Sequence, residues 1–243
     1  MARQLADVLH YFLDDARLAS SGPTRCLALV AEPDELLGVA VLWNLAHELA
    51  RRGMPIAWVS ALSDEELLPG DATAGIPRVL APASELAGLA DAVREAGAKL
   101  GARRAPDLVL TRVPPAWLAP EDGAEDLLAW TLLLAGPDPE RRDEARLRSR
   151  RIADACPGAR IGVTVHGVRS VREGEAAFGE LAHELATPRT ELASYGLLLE
   201  EHLLYDALLA RRPVTRHRPH SRAAQALSDV ARLLHEDWRR DVA

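Results

Sequence analysis

The segment between residues 32 and 39 occupies a typical ligand-binding position but lacks the residues that bind phosphate. It follows a short apolar run, Cys26 to Val30, and leads into a helix predicted from about Asp34 to Arg52. In open α/β sheets, ligands gather at the first strand-to-helix turn. A phosphate there needs glycine-rich backbone N–H groups, a lysine ammonium and a Ser or Thr hydroxyl. This segment begins instead with three acids and one proline: Glu32, Pro33, Asp34 and Glu35.

The charges of this turn oppose a polyanion. Two like charges in contact repel by on the order of a kcal/mol or more at the effective dielectric of a protein. Pro33 also removes one backbone N–H group from the turn. We therefore expect that ATP does not bind here in the manner of a phosphate loop.

Short apolar runs alternate with helical patterns along the rest of the chain. Gly53 stands where a helix C-cap is expected, and Asp138 followed by Pro139 predicts the start of another helix. This alternation predicts an α/β fold with a doubly wound, mostly parallel sheet and helices on both faces. The predicted strands are residues 26–30, 56–59, 76–80, 130–134, 160–165 and 192–199; the predicted helices are residues 34–52, 84–100, 138–156, 173–185, 202–210 and 221–239.

Three segments resemble the MinD/ParA family of P-loop ATPases, and more narrowly its FlhG (FleN) branch. They are Asn44 to Val59, Asp107 to Pro115, and Arg212 to Ala224, which is similar to the family's closing segment before the last helix. The resemblance implies a SIMIBI-type P-loop NTPase fold. We expect a single domain over residues 21–243.

Laid over this chain, the family's GKGGVGKT loop falls on residues 32–39, and the resemblance implies a degenerate Walker A motif. Gly38 stands at the lysine and Val39 at the threonine, while Pro33 replaces the other lysine. The acids Glu32, Asp34 and Glu35 fill neighbouring positions.

Other family positions are changed as well. Arg112 stands at the magnesium-associated Walker B aspartate, and Ser60 and Leu62 stand where acidic residues end the second strand. His166 replaces the asparagine that reads the base. The resemblance therefore implies that ATPase chemistry is lost, and we expect no catalytic residue, no cofactor and no metal site.

If a small molecule binds, we expect it beside His166. This histidine ends a predicted strand, and Arg169 and Arg172 follow closely, so the three residues form a candidate anion site. On the first helix, we expect His47 and Glu48 to lie on the solvent side.

Amphipathic segments lie at both ends of the chain. Residues 1–20 contain a predicted helix, Gln4 to Leu18, whose counterpart in the FlhG branch contacts a partner GTPase. We favour packing on the domain or a homodimer, because an apolar stripe usually buries itself. We expect the final helix to pack on the sheet rather than on a membrane, since its polar face mixes both charge signs. The apolar residues of that final helix are Leu227, Val230, Leu234 and Trp238.

Composition narrows the function classes. The net charge of −7, from 29 basic and 36 acidic residues, argues against nonspecific nucleic-acid binding. Cys26 and Cys156 lack metal-ligand spacing and predict buried thiols in a reducing compartment. No apolar stretch approaches the length of a membrane span, so we expect a cytoplasmic protein.

Two function classes remain. The first is a nucleotide-independent regulator or scaffold that acts through protein–protein contacts, in the assembly or positioning of a cell-envelope machine such as a flagellum, pilus or polysaccharide exporter. Its partner would be a related ATPase or GTPase, a component of that machine, or a second copy of the chain. The alternative is a nucleotide- or anion-responsive switch or ATPase with a rebuilt site around Glu32, Asp34, Arg112 and His166. In a third hypothesis, an ATPase receives its missing groups from a partner.

Overall fold

A seven-stranded parallel sheet forms the centre of the computed structural model, which describes residues 25–61, 75–104, 108–118, 125–185 and 192–242. The strands are β1 (Arg25–Val30), β2 (Ile56–Ala61), β3 (Arg78–Ala81), β4 (Leu108–Val113), β5 (Trp130–Ala135), β6 (Arg160–His166) and β7 (Leu192–Leu198). Their order is β3-β2-β4-β1-β5-β6-β7, and every pairing is parallel. The predicted doubly wound sheet is confirmed.

Helices connect the strands and cover both faces of the sheet. They are α1 (Leu36–Arg51), α2 (Leu86–Arg104), α3 (Glu125–Leu128), α4 (Pro139–Ala155), α5 (Val171–Leu185), α6 (His202–Leu209), α7 (Val214–His217) and α8 (Arg222–Val242), with a 3₁₀ turn at Pro115–Trp117. The three shortest of these elements were not predicted. None of the helices in the described ranges is long and apolar enough to cross a bilayer. The predicted N-terminal helix and Leu62 lie outside the described residues.

Local signals in the sequence set several helix ends. Gly53 follows α1 with a φ of +84°, the left-handed conformation that glycine adopts without strain. At the start of α4, the Asp138 carboxylate accepts a hydrogen bond from the Arg141 backbone N–H at 3.0 Å, and Pro139 occupies the first turn. Both predicted caps are confirmed.

The core has two layers because successive side chains of each strand point to opposite faces. From β1, Leu27 and Leu29 pack in the layer that contains α1, α6 and α8. Ala28 and Val30 pack in the other layer, against α2, α4 and α5. Cys26 and Cys156 are free thiols buried in that second layer.

The C-terminal helix α8 packs on the sheet, as predicted. Leu227 and Leu234 are fully buried. A chain of polar contacts also joins α8 to the sheet: Trp130 Nε1 donates to the Tyr195 hydroxyl at 2.9 Å, and that hydroxyl donates to Asp237 Oδ2 at 2.7 Å. Arg160 pairs with the same carboxylate at 2.6 Å. Each buried polar group of this cluster thus has a partner, which keeps the cost of its burial low.

The expectation that Glu48 faces solvent was wrong. Its side chain is fully buried, because α8 covers this side of α1. The Glu48 carboxylate accepts hydrogen bonds from Arg51 at 2.6 and 2.8 Å and from the Ser228 hydroxyl at 3.0 Å, and pairs with Arg52 at 3.3 Å. Burial by itself would raise the pKa of Glu48, but these hydrogen bonds and charges outweigh it and hold the pKa below its usual value. His47 is half-buried, with its ring edge-on to Trp43.

Candidate functional site

The candidate site lies at the carboxyl edge of the sheet, where the segment of residues 31–35, here called the β1–α1 turn, follows the central strand. Strand β4 lies beside β1 in parallel register, with Arg112 opposite Leu29 and Val113 opposite Val30. The side chain of Arg112 therefore begins next to the turn. Strands β5 and β6 end on the other side of β1.

Arg112 fills the space beneath the turn. It is 1% exposed, and its guanidinium donates to the Glu32 carbonyl oxygen at 2.6 Å and to the Pro33 carbonyl oxygen at 2.9 Å. A guanidinium can be buried at acceptable cost only when its N–H groups find acceptors, and here the turn backbone supplies two. Arg112 thus joins β4 to the turn at a position where the family resemblance implies an aspartate.

The backbone of the turn uses its own N–H groups. The Glu35 N–H donates to the Glu32 carbonyl at 3.0 Å, the Gly38 N–H to the Glu35 carbonyl at 3.1 Å, and the Ala31 N–H to the Val113 carbonyl at 3.2 Å. None of residues 31–38, all of which are described, has a positive φ. An anion-binding nest needs consecutive N–H groups that point at one ligand, commonly through alternating right- and left-handed residues. This turn lacks that conformation.

One side chain of the turn also accepts a hydrogen bond from the turn backbone. Glu35 Oε2 accepts from the Glu32 N–H at 3.2 Å and from Arg148 at 3.3 Å. Arg148 also approaches Glu144 at 3.7 Å and Glu32 at 3.9 Å. The one guanidinium that reaches the turn from α4 is therefore surrounded by three carboxylates. Pro33 and Asp34 are exposed.

The first turn of α1, Leu36 to Val39, offers no polar side chain for a phosphate or metal. A Cβ atom on Gly38 would lie 2.7 Å from the Cβ of Ala31 and 3.3 Å from Cδ2 of Leu29, so any side chain there would collide with β1 and the turn. Val39 is buried in the core. At the end of β2, Ser60 is fully buried, and its Oγ has no hydrogen-bond partner among the described residues.

A cleft of about 230 Å³ opens beside the turn, between the ends of β5 and β6 and helices α4 and α6. Charged side chains dominate its wall, with two leucines and one tyrosine as its less polar part. The lining residues are Glu35, Leu37, Leu134, Arg141, Glu144, Arg148, His166, Glu201 and Tyr205.

His166 is held in the cleft wall by an acid from another part of the chain. It is 8% exposed, and its Nδ1 lies 2.7 Å from Glu201 Oε2. The hydrogen bond from His166 lowers the pKa of Glu201 against the opposing effect of burial. Because an ionised carboxylate only accepts hydrogen bonds, Nδ1 carries the proton, and in the neutral ring Nε2 presents a lone pair.

The arginines expected beside His166 lie elsewhere. Arg169 and Arg172 are exposed and do not line the cleft. Arg141 lines it instead: its Nη1 would be 2.8 Å from a Cβ on Gly167, and it pairs with Asp138 at 3.4 Å. The anion site of His166, Arg169 and Arg172 stays a prediction.

Sequence reasoning named Glu35 and His166 but did not foresee that the other lining residues join them in one cleft. One available signal was the helix start at Asp138 and Pro139, which places Arg141 in the first turn of α4, at the carboxyl edge of the sheet. Among the described residues, no group of three or more His, Cys, Asp or Glu side chains is placed to hold a metal ion.

Several solved structures share this fold. MinD from Aquifex aeolicus is similar with a TM-score of 0.62 and 15% identity, over 88% of this chain and 97% of that one; in a MinC:MinD complex of the same organism the TM-score is 0.59 at 16% identity, over 86% and 95%. MinD from Pyrococcus horikoshii, solved with Mg-ADP, gives 0.59 at 17% identity over 87% and 96%. A ParA family ATPase from Chlorobium tepidum gives 0.52 at 13% identity over 86% and 97%.

These likenesses define the class of fold: the chain has the P-loop NTPase-like α/β fold that MinD and ParA proteins share. At such low identity, fold does not carry function, which depends on the residues at the site. No protein-family model and no curated protein sequence matches the chain.

Proposed function

We propose that this protein is a nucleotide-independent, MinD/ParA-like regulator or scaffold that acts through contacts with other proteins. The observation that carries the proposal is the Arg112 guanidinium, which is buried and bonded to the Glu32 and Pro33 carbonyls at the place where the fold would bind a triphosphate. The turn is thereby stabilised from within the chain, without a ligand.

The chemistry around Arg112 supports the same proposal. The N–H groups of Glu32, Glu35 and Gly38 donate within the turn, so a phosphate would have to displace these bonds. Gly38 has no room for a lysine side chain, since even a Cβ would collide with Ala31. A phosphate loop uses such N–H groups and a lysine to stabilise its anion.

Charge opposes a triphosphate as well. Glu32 and Glu35 lie in the turn itself, and Glu144 stands behind Arg148, whose positive charge is already shared among these three acids. A polyanion entering the turn would therefore meet a net negative charge, at a cost on the order of a kcal/mol for each close contact.

A neighbour of the same fold supports the proposal of a protein partner. One solved structure of this fold is a complex of MinD with MinC. For this chain we propose a protein partner of the same general kind, a component of a cell-envelope machine or a related ATPase or GTPase. The cytoplasm is the compartment we propose.

A titration with nucleotides tests the proposal. We expect no change in the melting temperature with MgATP, MgADP or MgGTP at about 1 mM. A nucleotide with a dissociation constant near 10 μM would stabilise the native state by about 2.7 kcal/mol under these conditions. For a chain of this size, that is a shift of roughly 5–10 °C. MinD from Pyrococcus horikoshii, solved with Mg-ADP, is the positive control.

The cleft beside the turn is the reason to keep the switch as the second candidate. It contains His166, Arg141 and Arg148, and a ligand bound there could reach the turn through Glu35. A shift of several degrees with any nucleotide would contradict the regulator and favour this switch. Repeating the titration with Glu201→Gln, which changes the cleft and not the turn, then separates a rebuilt site in the cleft from binding at the turn.

A further inference from the structure

We propose that the cleft lined by Glu35, Glu144, His166, Glu201 and Tyr205 receives the cationic side chain of an arginine or lysine presented by a protein partner. This inference rests on the proposed function and names the chemistry by which the partner is recognised. Four features of the cleft support this inference: its size, its charge, one free hydrogen-bond acceptor and the less polar part of its wall.

The size of the cleft suits one side chain. Sites that bury whole drug-sized ligands or cofactors usually enclose about 300–1,000 Å³. The cleft measures about 230 Å³, the liquid volume of roughly seven or eight water molecules. A single long side chain fits this space, whereas a nucleotide exceeds it.

The cleft and its immediate surroundings contain more negative than positive side chains. Three guanidinium groups, those of Arg141 and Arg148 in the wall and of Arg112 beneath the turn, stand against five carboxylates in or directly behind the wall. Arg148 lies within 3.9 Å of three of these acids, and Arg141 pairs with a fourth. The five acids are Glu32, Glu35, Asp138, Glu144 and Glu201.

Helix dipoles reduce this excess without reversing it. Glu35, Asp138 and Glu201 are the N-cap residues of α1, α4 and α6, so the positive ends of three helices converge on the cleft. Each helix end is equivalent to about half a positive charge, so the three together cancel most of the surplus of carboxylates over guanidiniums. Only the Asp138 carboxylate caps its own helix, because those of Glu35 and Glu201 bond to the Glu32 N–H and to His166. The small negative excess that remains favours a cation.

The phenol of Tyr205 lies in the field of the same carboxylates. Burial raises the pKa of its phenol first, and the nearby carboxylates of Glu201 and Glu35 raise it further, with Arg141 as the opposing charge. Its ring, with Leu37 and Leu134, supplies the less polar part of the wall. Aromatic faces attract cations within about 6 Å, and the aliphatic stem of an arginine or lysine packs well on leucine.

The ring of His166 provides the free acceptor. Glu201 binds its Nδ1, and Nε2 has no hydrogen-bond partner in the part of the chain that the structure describes. The side chain is nine-tenths buried and lines the cleft. A neutral imidazole held in this tautomer accepts at Nε2, so it matches a ligand that brings an N–H donor. Guanidinium and ammonium groups carry several such donors and no acceptor.

The experiment uses the full chain and small probes. N-acetyl-arginine amide is the cationic probe, N-acetyl-citrulline amide is its neutral isostere, and inorganic phosphate is the anionic probe. Binding is followed by NMR through the imidazole signals of His166 and the ring signals of Tyr205. For a ligand of this size we expect a dissociation constant on the order of millimolar, with saturable shifts for the arginine probe and none for citrulline or phosphate.

Variants locate the binding. Glu201→Gln should weaken binding of the arginine probe about tenfold, because it removes one negative charge. It also removes the carboxylate that holds His166 in the tautomer with the proton on Nδ1. Glu144→Gln, in an exposed part of the wall, should weaken binding of the probe less. It provides the test if the Glu201→Gln variant does not fold. Glu175→Gln makes the same chemical change on the exposed side of α5 and should leave binding unchanged.

Three outcomes would overturn the inference: no binding of the arginine probe at tens of millimolar, equal binding of citrulline, or binding of phosphate in its place. The nucleotide titration is run on the same sample. If neither the arginine probe nor the nucleotides bind, only the proposal for the cleft is refuted. If MgATP binds, the proposal of a nucleotide-independent regulator is refuted as well.

Discussion

The β1–α1 turn and the cleft beside it share Glu35, yet they differ in how far their polar groups are satisfied by hydrogen bonds within the chain. In the turn, the carbonyls of Glu32 and Pro33 bind Arg112, and the Glu32 N–H binds the Glu35 carboxylate. In the cleft, Nε2 of His166 has no partner among the described residues, and there is room for a side chain.

The difference shows how the carboxyl edge of a parallel α/β sheet can come to favour a different kind of ligand. Parallel α/β sheets bring strand ends and helix N-termini to one edge, whatever is bound there. With acids at three N-caps and an arginine beneath the turn, this edge supplies its own anions and its own cation. The proposed regulator would then use the turn as a structural element, and its binding chemistry would lie in the neighbouring cleft.

Replacing Arg112 should have the largest effect. Arg112→Met keeps most of the volume but removes the Arg112 hydrogen bonds to both carbonyls, so that the Glu32 carbonyl keeps only the Glu35 N–H. Hydrogen bonds to a charged group contribute about 1.5–3 kcal/mol each, and relief of the buried charge offsets part of this. We expect the free energy of unfolding, measured by urea denaturation, to fall by about 2–4 kcal/mol.

The matched control for that change is Arg94→Met. Arg94 forms an exposed pair with Asp91 at 2.6 Å, and exposed pairs contribute about 0–1 kcal/mol. If Arg112→Met cost no more than Arg94→Met, the turn would not depend on its internal cation, and the contrast with the cleft would collapse.

A methyl group at position 38 should have an intermediate effect. Gly38→Ala places a Cβ 2.7 Å from the Cβ of Ala31, which cannot swing away. Overpacking of this kind costs typically 1–3 kcal/mol. Gly179→Ala on the exposed side of α5 meets nothing within 4 Å and should be neutral or stabilising by up to about 1 kcal/mol. Thermal unfolding of the two variants, compared side by side, checks the difference; equal stability would mean that α1 and the turn are not closely packed.

The smallest effect on stability should come from the titration of Glu201 in the cleft. His166 lowers the pKa of Glu201, so the ionised carboxylate contributes stability above the unfolded-state value near 4.5, and this contribution is lost as the pH falls through the lower folded-state pKa. Relative to Glu201→Gln, the wild-type chain should be more stable by about 1 kcal/mol at pH 7. The advantage should shrink below pH 4.5. Denaturation curves from pH 7 to pH 3 measure it, with Glu175→Gln as the variant that should show no such trend. A constant difference across this range would refute the contribution of the hydrogen bond between His166 and the ionised Glu201 carboxylate.

Much of the fold was predictable because its signals are local. The apolar run of β1, the glycine after α1 and the Asp138–Pro139 cap each act through neighbouring residues, and the structure has them where the pattern placed them. The three short elements were missed because a single turn of helix carries too few residues for a periodic pattern.

The environment of the site was less predictable. Glu48 looked like a solvent-facing residue, because nothing near it in the sequence indicates that Ser228 bonds to its carboxylate once α8 folds over α1. Arg112 was recognised as a replacement, but its bonds to the turn, 79 and 80 residues away in the chain, were not foreseen.

The sequence alone determined the order of strands and helices, the α/β class and the absence of lysine and hydroxyl groups from residues 32–39, since these depend on residue type and short-range periodicity. Only the tertiary structure decided that Arg112 satisfies the turn and that His166 meets Glu201, 35 residues further along the chain. Strand order brings such distant residues together, and side-chain packing then selects which donor meets which acceptor. For that reason the chemistry of this edge follows from the fold as a whole, and no single motif contains it.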